Sequence, residues 1–184
     1  MEILIYGTIN SIALALMALG FALVYGISRV PNFAHGALYV ITGFIAWSLL
    51  RTLGLNYLLS IVLAIIAIGV VGALIYQFVL IRVRGMAISE IIASYAIGLA
   101  ILEGLRWGGF KGSTYTLPVF IEGSINIGDI PVDLHRILVV GIGVAVVIFL
   151  WLFTHYTRIG LALRGMAQDE RAALMLGIDS DVMA

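Results

Sequence analysis

Five long apolar stretches dominate this chain of 184 residues and limit what it can fold into. A helix that crosses the hydrocarbon core of a bilayer needs about 20 mostly apolar residues. The stretches that meet or approach this length are Ile3–Ile27, Phe33–Leu50, Tyr57–Ile81, Ile88–Trp107 and Ile137–Tyr156. Because 62% of the residues are hydrophobic and only 11% are charged, the chain has no polar shell to cover such helices in water. The sequence therefore predicts an all-α integral membrane protein, a polytopic bundle of about five transmembrane helices.

The polar residue types exclude several other classes of protein. Ten basic and ten acidic residues cancel, so no charge excess indicates a nucleic-acid partner. The chain has no cysteine, which excludes disulfides and thiolate metal sites. Its three histidines are widely spaced, so we expect neither a metal site nor a cofactor. The first stretch lacks the basic start and the small-residue cleavage site of a signal peptide, and we expect it to be a retained helix.

A polar, helix-breaking segment, Val30–Gly36, lies between the first two stretches, and we call it the break segment. Pro31 has no N–H to donate within a helix, and it biases Val30 away from the α conformation. Asn32 and His35 are costly in hydrocarbon unless they face protein or water. Irregular backbone at membrane depth persists only where it is buried in protein or lines a cavity. The break segment therefore marks either a membrane–water boundary or a broken helix beside a transport path.

Small residues recur at steps of three and four within the stretches. This spacing places small side chains on one helix face, where another backbone can approach closely, so we expect these faces to be tightly packed. The residues concerned are Gly7, Ser11, Ala15, Ala18, Ala22 and Gly26, and the pairs Gly69/Ala73 and Gly141/Ala145. Asn10 also lies in the first stretch and needs a polar partner, either an interhelical hydrogen bond or a transported substrate.

Basic residues at the ends of the stretches predict the orientation, since they mark the cytoplasmic side in short loops. If the helices alternate, one side carries Arg29, Arg82, Arg84, Arg158, Arg164 and Arg171. The other side carries Arg51, Arg106, Lys111 and Arg136. The N-terminus is therefore predicted outside and the Ala184 end in the cytoplasm. Glu103 and Arg106 share a helix face, and we expect an interfacial ion pair rather than an intramembrane proton relay.

The long region without a span is Gly108–His135, which is rich in glycine and contains Pro118, Pro131 and Asp129. Periodicity does not decide whether Leu117–Ile130 forms short strands or a surface helix. We expect a connecting loop, and a docking surface for a soluble partner is the alternative.

The chain changes character after Tyr156, where a short helix is predicted. Asp169 and Glu170 suit a helix N-terminus, and Gly177 suits the position that follows a helix. A helix of about two turns is marginal by itself in water, so its apolar residues must pack on something. These residues are Ala172, Ala173, Leu174, Met175 and Leu176. They could pack on the chain's own membrane helices, which the composition favours, or in a groove on a partner subunit.

Two motifs give the chain a family resemblance that covers essentially its whole length. Asn32-Phe33-Ala34-His35-Gly36, preceded by Tyr25-Gly26, resembles a segment in the permease subunits of bacterial branched-chain amino acid ABC importers. The segment 157–178 is similar to the cytoplasmic segment of the same family at Arg158, Gly160, Arg164, Ala167, Gln168-Asp169 and Gly177-Ile178.

In ABC importer permeases this segment carries a Glu-Ala-Ala-x-x-x-Gly pattern that docks on the ATPase subunit. The chain has the same spacing from Arg171 to Gly177, with Arg171 in the acidic position and Glu170 one residue earlier.

The resemblance implies one transmembrane permease domain over residues 1–184, with a cytoplasmic ATPase-docking segment at 157–178. Family members continue with further spans, so we expect this domain to be incomplete. It also implies a transport subunit, not an enzyme, in the inner membrane of a bacterium or archaeon. The implied partners are ABC ATPase subunits, a second permease chain and an extracytoplasmic substrate-binding protein. The residues implied for a translocation path or its packing are Asn10, Asn32, Phe33 and His35. Those implied for ATPase docking are Asp169, Glu170, Arg171, Ala172, Ala173 and Gly177.

The cargo and two rival classes are open alternatives. Branched-chain amino acids are the common cargo of the family, while close relatives carry urea and short amides. An ATP-independent secondary transporter would need inverted repeats and buried ion-coupled groups, and no repeat is apparent. An intramembrane hydrolase would have to use Ser113 and His35, but the sequence has no Gly-x-Ser-x-Gly elbow.

Overall fold

A computed structural model describes residues 2–28, 31–108, 116–127 and 130–177 of the chain. Its elements in chain order are α1 (Glu2–Ser28), α2 (His35–Arg51), α3 (Tyr57–Ile75), a π-helical segment (Tyr76–Leu80), α4 (Ile81–Val83), α5 (Ala87–Gly108), β1 (Ser124–Ile127), β2 (Ile130–Asp133), α6 (Leu134–Tyr156), α7 (Arg158–Gln168) and α8 (Glu170–Met175). These elements form two compact units. The split unit consists of Met1–Arg29 with Val119–Ala184, and the central unit consists of Val30–Pro118.

The predicted transmembrane stretches are all helical, which confirms the polytopic helical membrane fold. Among the described residues, four helices are long and apolar enough to cross a membrane, namely Ile3–Gly26, Tyr57–Val83, Ile88–Gly108 and Leu134–Tyr156. The remaining predicted stretch corresponds to α2, which has 17 residues. At about 1.5 Å per residue, α2 is about 26 Å long, slightly shorter than a typical hydrocarbon core.

Within the central unit, α2 packs on both α3 and α5. Local signals make the turns. Gly54 has a φ of +64°, and the Asn56 side chain accepts a hydrogen bond from Leu58 N–H at 3.0 Å to cap α3. Before α5, Gly85 has a φ of +84° and its N–H donates to Glu90 Oε1 at 2.7 Å. Since only glycine adopts positive φ easily, these two residues fix where the helices reverse.

Within the split unit, α1 lies parallel to α6. Tyr6 is near the start of α6, because its hydroxyl donates to the Pro131 carbonyl oxygen at 2.8 Å and its ring lies 4.9 Å from the Arg136 guanidinium carbon. A Cβ added at Gly143, farther along α6, would lie 2.5 Å from Ile12 Cγ2. The absence of a side chain at Gly143 therefore lets the two helices approach.

The region that periodicity left undecided contains a β-hairpin. β1 and β2 pair antiparallel, with Ser124 opposite Asp133 and Ile127 opposite Ile130. Val132 of β2 is fully buried. Short strands, not a surface helix, therefore precede α6.

The small-residue faces are packed at some positions and open at others. A Cβ added at Gly7, Gly69 or Gly141 would meet no atom within 4 Å in the described structure. At Gly26, on the same predicted face of α1 as Gly7, a Cβ would lie 3.9 Å from Ala167 Cβ. Closer approaches occur at Gly143 in the split unit and at Gly98 in the central unit.

The predicted ion pair at the end of α5 is confirmed. Arg106 Nη1 lies 3.3 Å from Glu103 Oε1, and both side chains are exposed. Several predictions concern residues outside the described part of the chain, namely Arg29, Val30, Lys111, Ser113, Asp129, Ile178 and Ala184.

Candidate functional site

The break segment precedes α2 in the central unit, and three of its N–H groups have acceptors. Phe33 N–H donates to Ser94 Oγ of α5 at 3.2 Å. Ala34 N–H donates to Asn32 Oδ1 at 3.0 Å. His35 N–H, the first of α2, donates to the Asn32 carbonyl oxygen at 3.2 Å. Because the first N–H groups of a helix have no acceptor within the helix itself, these bonds help to satisfy the backbone where the chain enters α2.

The break segment contacts α5 well inside that helix rather than at its end. Ser94 and Gly98 are the eighth and the twelfth residues of α5 when Ala87 is counted as the first of its 22 residues. At about 1.5 Å per residue, Ser94 lies about 10 Å along the helix. A Cβ added at Gly98 would lie only 3.3 Å from Ala34 Cα. Of the two readings left open by the sequence, this geometry favours a broken helix over an interfacial turn.

The side chains of the break segment differ in exposure. Ala34 is fully buried, whereas Phe33 is 53% exposed. Asn32 and His35 are half-buried, and Asn32 uses its side-chain oxygen in the local turn with Ala34. Three predicted path residues are therefore neighbours around the start of α2. The fourth, Asn10, is exposed on α1 in the split unit.

Ser94 and Gly98 are site residues that our sequence analysis missed. Ser94 is 2% exposed, and its hydroxyl donates to the Ile91 carbonyl oxygen at 3.0 Å while it accepts from Phe33. Ser94 and Gly98 are four positions apart, which is the small-xxx-small spacing that indicates close helix contact. This four-residue spacing was visible in the sequence, but it does not indicate which segment packs against the helix face that carries Ser94 and Gly98.

An apolar cavity of about 480 Å³ is also present in the central unit, between α2 and α3. Its lining includes Tyr39, Val40, Phe44, Ile61 and Ile65. The size lies within the range of small-molecule pockets, and the lining is mostly apolar, with Tyr39 and Thr42 among its residues. Such a cavity suits an aliphatic group better than a molecule that needs several hydrogen bonds.

The predicted docking end begins with a helix that the sequence analysis did not predict, the amphipathic α7. Thr157 caps it, since its Oγ1 accepts from Gly160 N–H at 3.0 Å and donates to the Phe153 carbonyl oxygen at 2.6 Å. A Cβ on Gly160 would overlap the same carbonyl oxygen and lie 2.5 Å from Thr154 Cα. We call Phe153–Gly160 the corner. It turns the chain so that α7 packs on α1 and α6.

The short helix predicted after Asp169 is confirmed as α8. Asp169 Oδ1 accepts from Ala172 N–H at 3.1 Å, which caps the N-terminus of α8. Gly177 has a φ of +81°, the left-handed conformation that commonly ends a helix.

The helix α8 is buried on one side by its own chain and exposed on the other. Ala173 is only 3% exposed, whereas the following apolar residues are exposed: Leu174 at 48%, Met175 at 90% and Leu176 at 80%. Self-packing, which composition favoured, therefore accounts for Ala173 but not for the three residues after it. The side chains of Glu170 and Arg171 lie outside the described part, so their predicted docking role stays a prediction.

The chain matches the family model described as "Branched-chain amino acid transport system / permease component" over residues 3–184. It is 29% identical over 182 residues to the "High-affinity branched-chain amino acid transport system permease protein BraD" of Pseudomonas aeruginosa, an alignment covering 91% of this chain and 59% of that protein. It is 30% identical over 184 residues to the "Probable branched-chain amino acid transport permease protein LivH" of Methanocaldococcus jannaschii, covering 93% of this chain and 56% of that protein.

A third relative is the "High-affinity branched-chain amino acid transport system permease protein LivH" of Escherichia coli. It is 29% identical over 181 residues, covering 91% of this chain and 58% of that protein. The chain thus spans somewhat more than half the length of the curated relatives it matches. No solved structure is significantly similar to it.

Proposed function

The chain belongs to the family of permease components of branched-chain amino acid transport systems, and we propose that it is the membrane-spanning subunit of an ABC importer for these amino acids. In this proposal, separate subunits hydrolyse ATP, an extracytoplasmic binding protein delivers the cargo, and a second permease chain completes the path. The chain itself carries out no chemistry.

The observation that carries the proposal is the start of α2 at membrane depth. Irregular backbone among lipid-facing helices is costly unless it is buried in protein or borders a cavity. Discontinuous helices in transporters supply exposed backbone and polar side chains to a substrate. Asn32, Phe33 and His35 surround the start of α2, and we assign them to the border of the path. Asn10 is a candidate for the same border or for packing against a further helix.

The exposed apolar end of α8 supports docking on an ATPase subunit. Leu174, Met175 and Leu176 form an apolar surface on a short helix whose Ala173 is already buried. Short helices of this kind bind by placing apolar residues in a groove on a partner. Asp169 and Gly177 then act as the caps that hold this surface in shape, with Ala172 on the exposed side. The predicted orientation, with the N-terminus outside, places α8 in the cytoplasm.

The apolar cavity between α2 and α3 supports an aliphatic cargo over urea or short amides. Urea needs several converging hydrogen-bond groups, whereas a leucine, isoleucine or valine side chain needs hydrocarbon contacts. Val40, Phe44 and Ile65 provide such contacts in the described part of the cavity.

Uptake of labelled leucine tests the proposal. The full chain is expressed with the products of its neighbouring genes in cells that lack their own branched-chain amino acid transport. We compare Met175→Glu, which changes a residue that is 90% exposed on α8, with Trp107→Glu, which changes one that is 91% exposed at the end of α5. A charge in an apolar groove is poorly tolerated. We therefore expect Met175→Glu to lose both uptake and the co-purifying ATPase, while Trp107→Glu keeps both.

The same assay separates the alternatives. Competition by isoleucine and valine but not by urea or acetamide supports the aliphatic cargo, and the reverse pattern supports an amide permease. Leucine uptake that continues without any ATPase indicates a secondary transporter instead. Equal loss in both variants contradicts docking through α8.

A further inference from the structure

We propose that Ser94 is a positioning residue that holds the start of α2 at its depth beside the translocation path. This inference rests on the proposed function, because that function supplies the translocation path beside α2. The contacts between Ser94 and the break segment are independent of that function.

Both hydrogen-bonding roles of the Ser94 hydroxyl are in use. Its single hydrogen is donated to the Ile91 carbonyl oxygen at 3.0 Å, so the oxygen is left with a lone pair directed to Phe33 N–H at 3.2 Å. Ser94 is 2% exposed, so the hydroxyl itself is buried in protein. Without the hydroxyl, a backbone N–H at membrane depth would have no acceptor, which is far more costly than in water.

Gly98 provides a second point of attachment one turn farther along α5. A Cβ there would lie 3.3 Å from Ala34 Cα and 3.4 Å from the Phe33 carbonyl oxygen. Ala34 and Ala37 on the facing side of α2 are almost completely buried. One hydrogen bond and one close backbone contact thus fix both the depth and the rotation of the first turn of α2. The Phe33 side chain remains 53% exposed and is the part of the break segment that another molecule can reach.

A single thiol at position 37 tests this inference, because the natural chain contains no cysteine and Ala37, which faces Gly98, is only 5% exposed. Ala37→Cys is combined with Ser94→Ala, and the rate of modification by N-ethylmaleimide is measured in membranes. The thiolate is the reactive form, so the rate at a buried position reports how often that position opens to water. Ser89→Ala is the matched control, since it removes a hydroxyl from the first turn of α5 that makes no side-chain hydrogen bond among the described residues. Ala64→Cys, at a buried site on α3, reports on general loosening of the central unit.

We expect Ser94→Ala to raise the modification rate at position 37 about fivefold, the factor that the loss of one ordinary hydrogen bond gives in a local opening equilibrium. The rate at position 64 should change less than about twofold, since no bond there is lost. Ser89→Ala should leave both rates unchanged, and Ser94→Thr, which keeps the hydroxyl, should restore the slow rate at position 37.

An unchanged rate at position 37 in Ser94→Ala overturns the inference, and so does an equal rise at positions 37 and 64, because the hydroxyl would then stabilise the unit without positioning the break segment. Leucine uptake by the single variants Ser94→Ala and Ser89→Ala is measured separately. Fast modification together with a reduced leucine uptake supports the full inference. Fast modification with normal uptake overturns the link to the path, because Ser94 would then position the break segment without affecting transport. If the unsubstituted chain takes up no leucine, the proposed function fails, while the labelling result still stands.

Discussion

The chain interrupts its helices in two places that are built very differently. At the corner between α6 and α7, Thr157 bonds to Phe153 and Gly160, which are four and three positions away. At the break segment, Phe33 N–H is bonded to Ser94, which is 61 positions away on another helix. The hydrogen bonds of the corner are therefore local in sequence, whereas the break segment combines the local bond of Asn32 with a tertiary one to α5.

The difference follows from the surroundings of each interruption. The corner follows the end of a span, and a capping side chain and a glycine are enough to turn the backbone there. The break segment packs on the interior of α5, a helix long and apolar enough to span a membrane, where each N–H needs a partner supplied by protein. A substitution in the corner should thus act on local geometry, whereas one in the break segment should act on the contact between α2 and α5.

The largest effect is expected from Gly160→Ala in the corner. The added Cβ would overlap the Phe153 carbonyl oxygen and lie 2.5 Å from Thr154 Cα, and both are backbone atoms that cannot move aside. We expect the free energy of unfolding to fall by about 3 kcal/mol or more, at the upper end of overpacking effects. The measurement is reversible unfolding of the detergent-extracted chain in mixed micelles.

Gly165→Ala is the matched control in the same helix. A Cβ there would meet no atom within 4 Å, so this change should be neutral or stabilise α7 by up to about 1 kcal/mol through helix propensity. Similar losses from the two substitutions would mean that α7 tolerates no change of glycine, and the corner would have no special role.

A smaller effect is expected from Ala34→Leu in the break segment. Ala34 is fully buried against Gly98, so the larger side chain must push α2 away from α5. We expect a loss of about 2 kcal/mol, because side chains on both helices can adjust in part. The same unfolding measurement applies, with Phe33→Leu as the control at a neighbouring position that is 53% exposed.

Phe33→Leu should change the free energy of unfolding by less than about 0.5 kcal/mol, as is usual for exposed sites. If Ala34→Leu proves equally harmless, the first turn of α2 is not clamped against α5, and the contrast between the two interruptions disappears.

The two interruptions also explain what could be predicted from the sequence. α8 was predictable, because Asp169 and Gly177 are local signals that act within one helix. The break segment was predictable as a break, because Pro31 acts on its own backbone. The position of the break segment along α5 was not predictable, because it depends on contacts with Ser94 and Gly98 that form only when the chain folds.

The burial of α8 was predicted in part for a related reason. Composition shows that its apolar residues must pack, but it cannot divide them between the chain and a partner. The structure buries Ala173 and exposes Met175, although the two residues are similar in apolar character and only two positions apart.

The helix α7 was missed for a different reason, since glycines at positions 160 and 165 lower its helix propensity. The Thr157 cap, three positions before Gly160, was the local signal that could have revealed it.

The smallest effect is expected from Thr157→Ala. The substitution removes the cap from Gly160 N–H and the bond to the Phe153 carbonyl oxygen, both of which are part-buried. We expect the free energy of unfolding to fall by about 1 kcal/mol, the usual effect of losing a capping threonine.

Thr157→Ser keeps the hydroxyl and should recover most of this loss, which separates capping from the packing of the threonine methyl group. The size of the loss also shows how much the corner depends on the Thr157 hydroxyl. A loss near 1 kcal/mol, compared with about 3 kcal/mol for Gly160→Ala, would mean that backbone space rather than the hydroxyl sets the direction of α7. A loss as large as that of Gly160→Ala would mean that water does not reach the corner, so that its hydrogen bonds need protein partners just as those of the break segment do.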